Sequence, residues 1–199
     1  MKYPSTIYNL IECFKKLPSV GEKSAERMAL ATLNMDKNII ELFSKSLSDI
    51  KLKVGRCKKC NNLSEGDFCE ICKSRDRDES TICVVESPKN VILFEKIGSY
   101  NGLYHVLDGL ISPLDGINPD DIKIDLLLKR LKSEDISEII IAVKPSIEGE
   151  TTARYISKIL DVKGCKVTRI AHGVPLGVDM EYIDSLTLEL ALEDRTDIS

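Results

Sequence analysis

Four of the seven cysteines stand as two pairs, Cys57-x2-Cys60 and Cys69-x2-Cys72, within sixteen residues. Each CxxC turn aims two sulfurs at one point, so four thiolates can close a tetrahedron around one ion, with Zn–S bonds of about 2.3 Å. A shell of four sulfurs leaves no open position for a substrate, which makes the metal structural. Zinc is the expected ion, one per chain; iron in a rubredoxin-like site shares the geometry. Residues 57–80, CKKCNNLSEGDFCEICKSRDRDES, carry too few apolar side chains for a core of their own, so metal binding must supply the folding energy there. The spacing predicts metal in a reducing compartment, not disulfides. Cys13, Cys83 and Cys165 lie in apolar contexts and are expected to be small core residues.

A second chemistry is suggested by LPSVGEKSAERMA. Backbone N–H groups at a helix start attract phosphate. Lys23 and Arg27, one turn apart just after Gly21 and beside Ser24, extend that attraction along a strand of nucleic acid. The alternative is a solvated helix face on which Lys23 pairs with Glu26. A third group is acidic. Glu86 follows an apolar run, and Glu148 and Glu150 stand near the start of a helical pattern. They could approach Mg²⁺, favour a helix N-terminus, or face a basic partner. His105 and His172 are isolated and are expected to be structural.

The elements that must position these groups follow from hydrophobic period. Ile7, Leu10, Ile11, Phe14 and Leu17 recur at helical spacing and Pro18 ends the run. Ser19-Val20-Gly21 makes a turn into a second helix from about Lys23 to Leu33, and Asp36 can cap a third carrying Ile39, Phe43, Leu47 and Ile50. After Ser80, short runs rich in β-formers (TICVV, LYHVL, EIIIAV, KVTRI) alternate with helical stretches at Pro88–Ile97, Ile124–Leu131 and about Gly149–Leu160. Such alternation predicts a parallel sheet covered by helices. The organisation is therefore a helical unit over 1–53, a four-cysteine finger over 54–79, an α/β domain over 80–176 and a C-terminal segment over 177–199. In that last segment Leu186, Leu190 and Leu192 form a stripe for core or oligomer contact.

The 199 residues, 43% of them hydrophobic, with a net charge of −4, exclude a disordered chain. No apolar run reaches the ~18 residues of a membrane span, and the first residues lack a signal-peptide core, so no membrane partner and a cytoplasmic location are expected. Charge is uneven: residues 1–80 carry 15 basic and 12 acidic side chains, the remainder 13 and 20. A basic N-terminal part suits nucleic acid.

Residues 17–29 resemble the helix-hairpin-helix of DNA repair proteins, with Ser19 at the first glycine position of its Gly-h-Gly turn. VVESP and the later KPSIEGETTA resemble a TOPRIM domain, the Rossmann-like fold in which a glutamate and an Asp-x-Asp hold Mg²⁺. Here Lys144 and Ser146 fill the Asp-x-Asp positions, which implies a TOPRIM fold without catalysis; a small Mg²⁺-dependent nuclease or primase-like enzyme is the alternative. A finger module that never touches DNA is a third reading.

The order of the pieces, with GLYHVLDGLISPLDGI, IEGETTARYIS and KVTRIAHGVPLGVDMEYIDSLTL, is similar over the whole chain to the RecR family of bacterial recombination mediators. Val178 and Lys144 stand where that family has glycine and, often, asparagine. The resemblance implies a non-enzymatic, ring-forming homo-oligomer of two or four chains. It implies sequence-independent DNA binding through Gly21, Lys23, Ser24 and Arg27, and zinc on Cys57, Cys60, Cys69 and Cys72. It further implies RecO, and in some bacteria RecF, as partners, with Glu86, Glu148 and Glu150 on the RecO face. The activity implied is to help RecA replace single-strand binding protein on gapped DNA.

Overall fold

The computed structural model describes residues 3–160, 165–171, 173–175 and 177–195. It divides into two compact units, 1–54 and 55–199. No helix among the described residues is long and apolar enough to cross a membrane.

The first unit is three helices: α1 (Ser5–Phe14), α2 (Glu22–Thr32) and α3 (Lys37–Lys53). The apolar stripe of α1 does what its spacing dictates. Ile11 is buried against Ala25 and Ala29 of α2, with Ile7, Leu10, Phe14 and Val20 around them. The two alanines let the helix axes approach closely. Leu17 lies beyond the last turn of α1 and is exposed, and Cys13, expected in the core, is exposed as well. Asp36 precedes α3 as expected but its side chain accepts no capping hydrogen bond. None of the α3 stripe is buried: Ile39, Phe43, Leu47 and Ile50 are exposed.

The second unit is built on four parallel strands, β3 (Asp78–Val85), β4 (Gly102–Val106), β5 (Glu138–Ala142) and β6 (Lys166–Arg169), in the order β4-β3-β5-β6. Near-continuous Val and Ile runs suit strands covered on both faces. Successive side chains alternate, so Ile82, Val84, Ile139 and Ile141 face one layer, and Cys83, Val85 and Ala142 the other. Helices α6 (Ile124–Ser133) and α7 (Ile147–Leu160) cover the first face through Ile124, Leu127, Ile156 and Leu160; α5 (Pro88–Ile97) covers the second through Val91. That split follows from right-handed crossovers. The step from β3 to β4 runs one way across the sheet, and the steps from β4 to β5 to β6 run the other. The chain therefore reverses direction between β3 and β5, and open α/β sheets bind their partners outside the carboxyl ends of strands at such a point.

Ahead of the sheet, β1 (Gly55–Arg56) and β2 (Leu63–Ser64) form an antiparallel pair, and α4 is one turn, Glu70–Lys73. After it, α8 runs from Ser185 to Glu193. Asp184 caps it by accepting from the Thr187 amide. His172 and the side chain of Leu186 lie outside the described residues. In the loop before α8, Gly177 is left-handed at φ 81°, and Val178 beside it does not take that conformation, so its backbone does not require glycine.

Candidate metal centre and nucleic-acid interface

Cys57 and Cys60 flank a tight turn closed by the Asn61 amide donating to the Cys57 carbonyl, 2.9 Å, and by the Cys57 amide donating to the Asn62 carbonyl, 2.7 Å. Asn61 takes the left-handed conformation, φ 60°, which asparagine tolerates better than most residues. Cys69 and Cys72 lie at the head and end of the single turn of α4. The four sulfurs lie within 4.8 Å of one another, three of the cysteines being buried. A ZnS₄ tetrahedron has sulfur separations of about 3.8 Å, so these residues fit one structural zinc ion. Hydrogen bonds from Cys60, and next from Cys72, lower the Cys69 pKa, which eases its deprotonation to the thiolate a metal needs. Cys57, Cys60, Cys69 and Cys72 would hold the ion as thiolates, with their protons released on binding.

The knuckle is stitched to the sheet. Val106 of β4 donates its amide to the Cys60 carbonyl, 2.9 Å, and accepts from the Asn61 side-chain amide, 3.0 Å. Arg56 pairs with Asp108 at 2.7 Å, and Lys59 with Glu134 at 3.2 Å. Arg130, buried, bonds Glu134 and donates to the Tyr104 carbonyl at 2.7 Å. Ile71 packs against the cysteines and against both faces of the sheet core.

In the helical unit, Ser19 supplies the left-handed turn residue, φ 64°, which accounts for the family's glycine at that position. Gly21 precedes α2, which starts without a side-chain cap. The first intrahelical bond is the Ala25 amide to the Gly21 carbonyl, 2.9 Å, leaving the amides of the first turn to outside acceptors. A methyl group added at Gly21 would touch nothing, so no internal packing calls for glycine there. Lys23, Ser24 and Arg27 lie on the accessible side of α2. Neither cation has an ion pair among the described residues. Glu26, the alternative partner of Lys23, instead accepts from the Tyr3 hydroxyl. Glu22, the acid nearest this surface in sequence, is matched by Lys15 at 3.0 Å across the hairpin, so the helix start keeps its positive character.

The acidic residues take different positions from those of a metal site. Glu86 follows β3, and its carbonyl accepts from the Asp108 amide. Glu148 and Glu150 fall in the first turn of α7, which starts at Ile147, two residues before the expected Gly149. Ser146 donates its hydroxyl to Glu148 at 2.7 Å and accepts from the Gly149 amide. That hydroxyl bond, with a smaller share from Lys144, holds the Glu148 carboxyl below its usual range. Glu150 bonds Arg169 at 3.1 Å. Among the described residues these three carboxylates form no converging group, whereas the cysteines do. Ser146 thus works as a helix cap where the catalytic pattern has aspartate.

His105 was expected to be a satisfied structural histidine. It is wholly buried, its Nε2–H bonds the Lys123 carbonyl at 2.7 Å, and its Nδ1 has no partner. Periodicity gives no sign of the Asn61 contact to β4 or the Arg56 contact just beyond that strand, which join residues about fifty positions apart.

Comparison with known proteins matches this arrangement piece by piece. Family models for the RecR helix-hairpin-helix match residues 7–51, the RecR four-cysteine zinc finger domain 54–74, the Toprim domain 80–171 and the RecR C-terminal region 173–196. Curated relatives named Recombination protein RecR, from Staphylococcus aureus strains JH9 and JH1, are 48% identical over 198 residues, covering the whole of both chains. With a hairpin, a zinc knuckle and a Toprim sheet in this order, and that identity from end to end, the chain belongs to the RecR family.

Proposed function

We propose that this chain is a non-catalytic DNA-binding scaffold of recombination, which with RecO, and RecF where present, helps RecA load onto gapped or protein-coated single strands. The observation that carries the reading is the uncapped start of α2, where Lys23 and Arg27 stand one turn apart with no ion pair among the described residues. Gly21 and Ser24 complete that surface. Such a site contacts phosphate without reading bases. One hairpin is a weak site, and several in an oligomer raise the effective concentration. The exposed stripe of α3 supports assembly into dimers or tetramers, since contiguous apolar surface of this kind marks protein contacts.

Catalysis is not part of the proposal. Lys144 places a cation where Mg²⁺ would need a carboxylate, and Glu148 and Glu150 already have protein partners. Glu86, Glu148 and Glu150 instead lie around the carboxyl end of the sheet and serve as the face for a basic partner such as RecO.

The test is DNA binding across a salt series by wild type and the Lys23→Glu/Arg27→Glu pair, with light scattering and added Mg²⁺. The reading expects salt-sensitive binding by an oligomer, lost in the pair with oligomer size kept, and no cleavage. Binding that survives the paired change at moderate salt overturns the hairpin assignment. Mg²⁺-dependent nicking restores the enzyme, with Glu86 first to be replaced.

A further inference from the structure

Between β4 and α6 the chain leaves the sheet and returns to nearly the same point. The Leu107 amide donates to Val85, and the Lys123 amide donates back to the Leu107 carbonyl at 2.9 Å. The loop so closed is an Ω-loop of fifteen residues, 108–122, a form that is compact, packed by its own side chains and frequently functional. Its base is buried through Leu110, Ile111 and Ile122. Its tip is shaped by the bridge between Ser112 and Ile117 and by the Ser112 hydroxyl on Asp115, 2.6 Å.

On that ordered tip, Leu114 is 100% exposed. A lone exposed leucine on a surface needs no explanation, but this one has a particular setting. The loop is tied at one side to Glu86, whose carbonyl takes the Asp108 amide. At the other side the Ile111 amide bonds Thr152 of α7, whose hydroxyl bonds the Glu148 carbonyl. Ile147, the first residue of α7 beyond the carboxyl end of β5, is 77% exposed. Residues 107–122 include four aspartates and no lysine or arginine, and Asp115 and Asp121 are exposed.

From this placement we infer that the loop is the apolar anchor of the acidic partner face, with Leu114 seated in an apolar recess of a basic protein and the aspartates matching the charge around that recess. The inference rests on the reading of Glu86, Glu148 and Glu150 as that face and adds the residue that carries most of the binding. An anchor side chain contributes most when it fills a fully desolvated pocket whose surrounding contacts shut out water, and the charge ring sets encounter rate and partner choice. The acidic surround disfavours DNA as the occupant.

The experiment measures binding of purified RecO from the same organism to the full-length oligomer, by calorimetry, for wild type, Leu114→Ser and Leu114→Met. The Leu114 side chain is fully exposed, so the thermal melt, oligomer size and DNA retention of both variants stay at wild-type values. Leu114→Ser weakens RecO about tenfold or more, and Leu114→Met, which keeps the apolar volume, stays within about threefold. RecO binding by Leu114→Ser at wild-type strength overturns the inference and leaves the partner face intact. Loss of DNA retention or of oligomer size in place of RecO binding overturns it in favour of another occupant. Failure of RecO to bind wild type overturns the partner reading itself, and the anchor with it.

Discussion

The side-chain amide of Asn61 holds the carbonyl of Val106 at 3.0 Å, and the Val106 amide returns to Cys60 at 2.9 Å. The metal turn therefore continues the hydrogen bonding of β4 on the side that has no neighbouring strand. Asn61→Gly keeps the left-handed backbone and removes only the amide. It is expected to cost about 1–3 kcal/mol for the carbonyl left unmatched, read by denaturant melts at saturating zinc, with metal content unchanged. Asn61→Ala adds about 1 kcal/mol for the backbone.

Replacing Cys57 by serine removes one of four ligands from a site that has no core of its own to fall back on. Zinc content measured by elemental analysis should fall far below one ion per chain, and amide exchange at Val106 should quicken, because its acceptor is the Cys60 carbonyl. A full complement of zinc in this variant removes the four-ligand assignment.

Gly149 lets α7 start close to β5. A methyl group there would lie 2.0 Å from the Lys144 carbonyl oxygen, a backbone atom with no side-chain freedom to yield. Gly149→Ala should destabilise the second unit by about 1–3 kcal/mol, despite alanine's better helix propensity. Ser19→Gly should act the other way. Ser19 sits at φ 64°, and relieving it is worth about 1 kcal/mol, seen as a raised melting temperature with DNA binding kept or improved.

His105 gives a pH dependence whose sign is determined by burial. Loss of water, partly offset by the Lys123 carbonyl, lowers its pKa from 6.5 to about 4. The unfolded chain takes up a proton near pH 6.5 that the folded chain refuses until about pH 4, so stability falls as pH drops through that window and levels off below it. The full loss is about 3 kcal/mol. In His105→Gln, melts between pH 7 and 4 should lack this component; an unchanged slope would assign the acid sensitivity elsewhere.

Local chemistry made much of this molecule legible from sequence. Two CxxC pairs can do little in a polar segment besides bind metal, and the β-rich runs TICVV and EIIIAV became neighbouring buried strands. The sequence places Ser19 in a glycine position of the resembled hairpin, and the structure adds what that position demands, a left-handed backbone at φ 64°. What escaped depends on distance along the chain or on partners. Arg169 reaches back to Glu150 across nineteen positions, turning an apparent free acid into half of an ion pair. The amphipathic period of α3 correctly predicts a helix and cannot say that Ile39, Phe43, Leu47 and Ile50 stay exposed. Residues 108–123 carry no helical or strand period, because an Ω-loop has none.

The sealed outer edge of β4 has a consequence for the cell. An open strand edge is a template on which another chain can pair, and the opposite edge among the described residues, β6, is only four residues long and begins with Lys166 and ends with Arg169, both features that discourage such pairing. The knuckle is then a guard against polymerisation as much as a fold element: zinc starvation or oxidation of the cysteines uncovers a sticky ribbon, and the expected fate of the starved protein is aggregation and proteolytic clearance ahead of any loss of its contact with DNA.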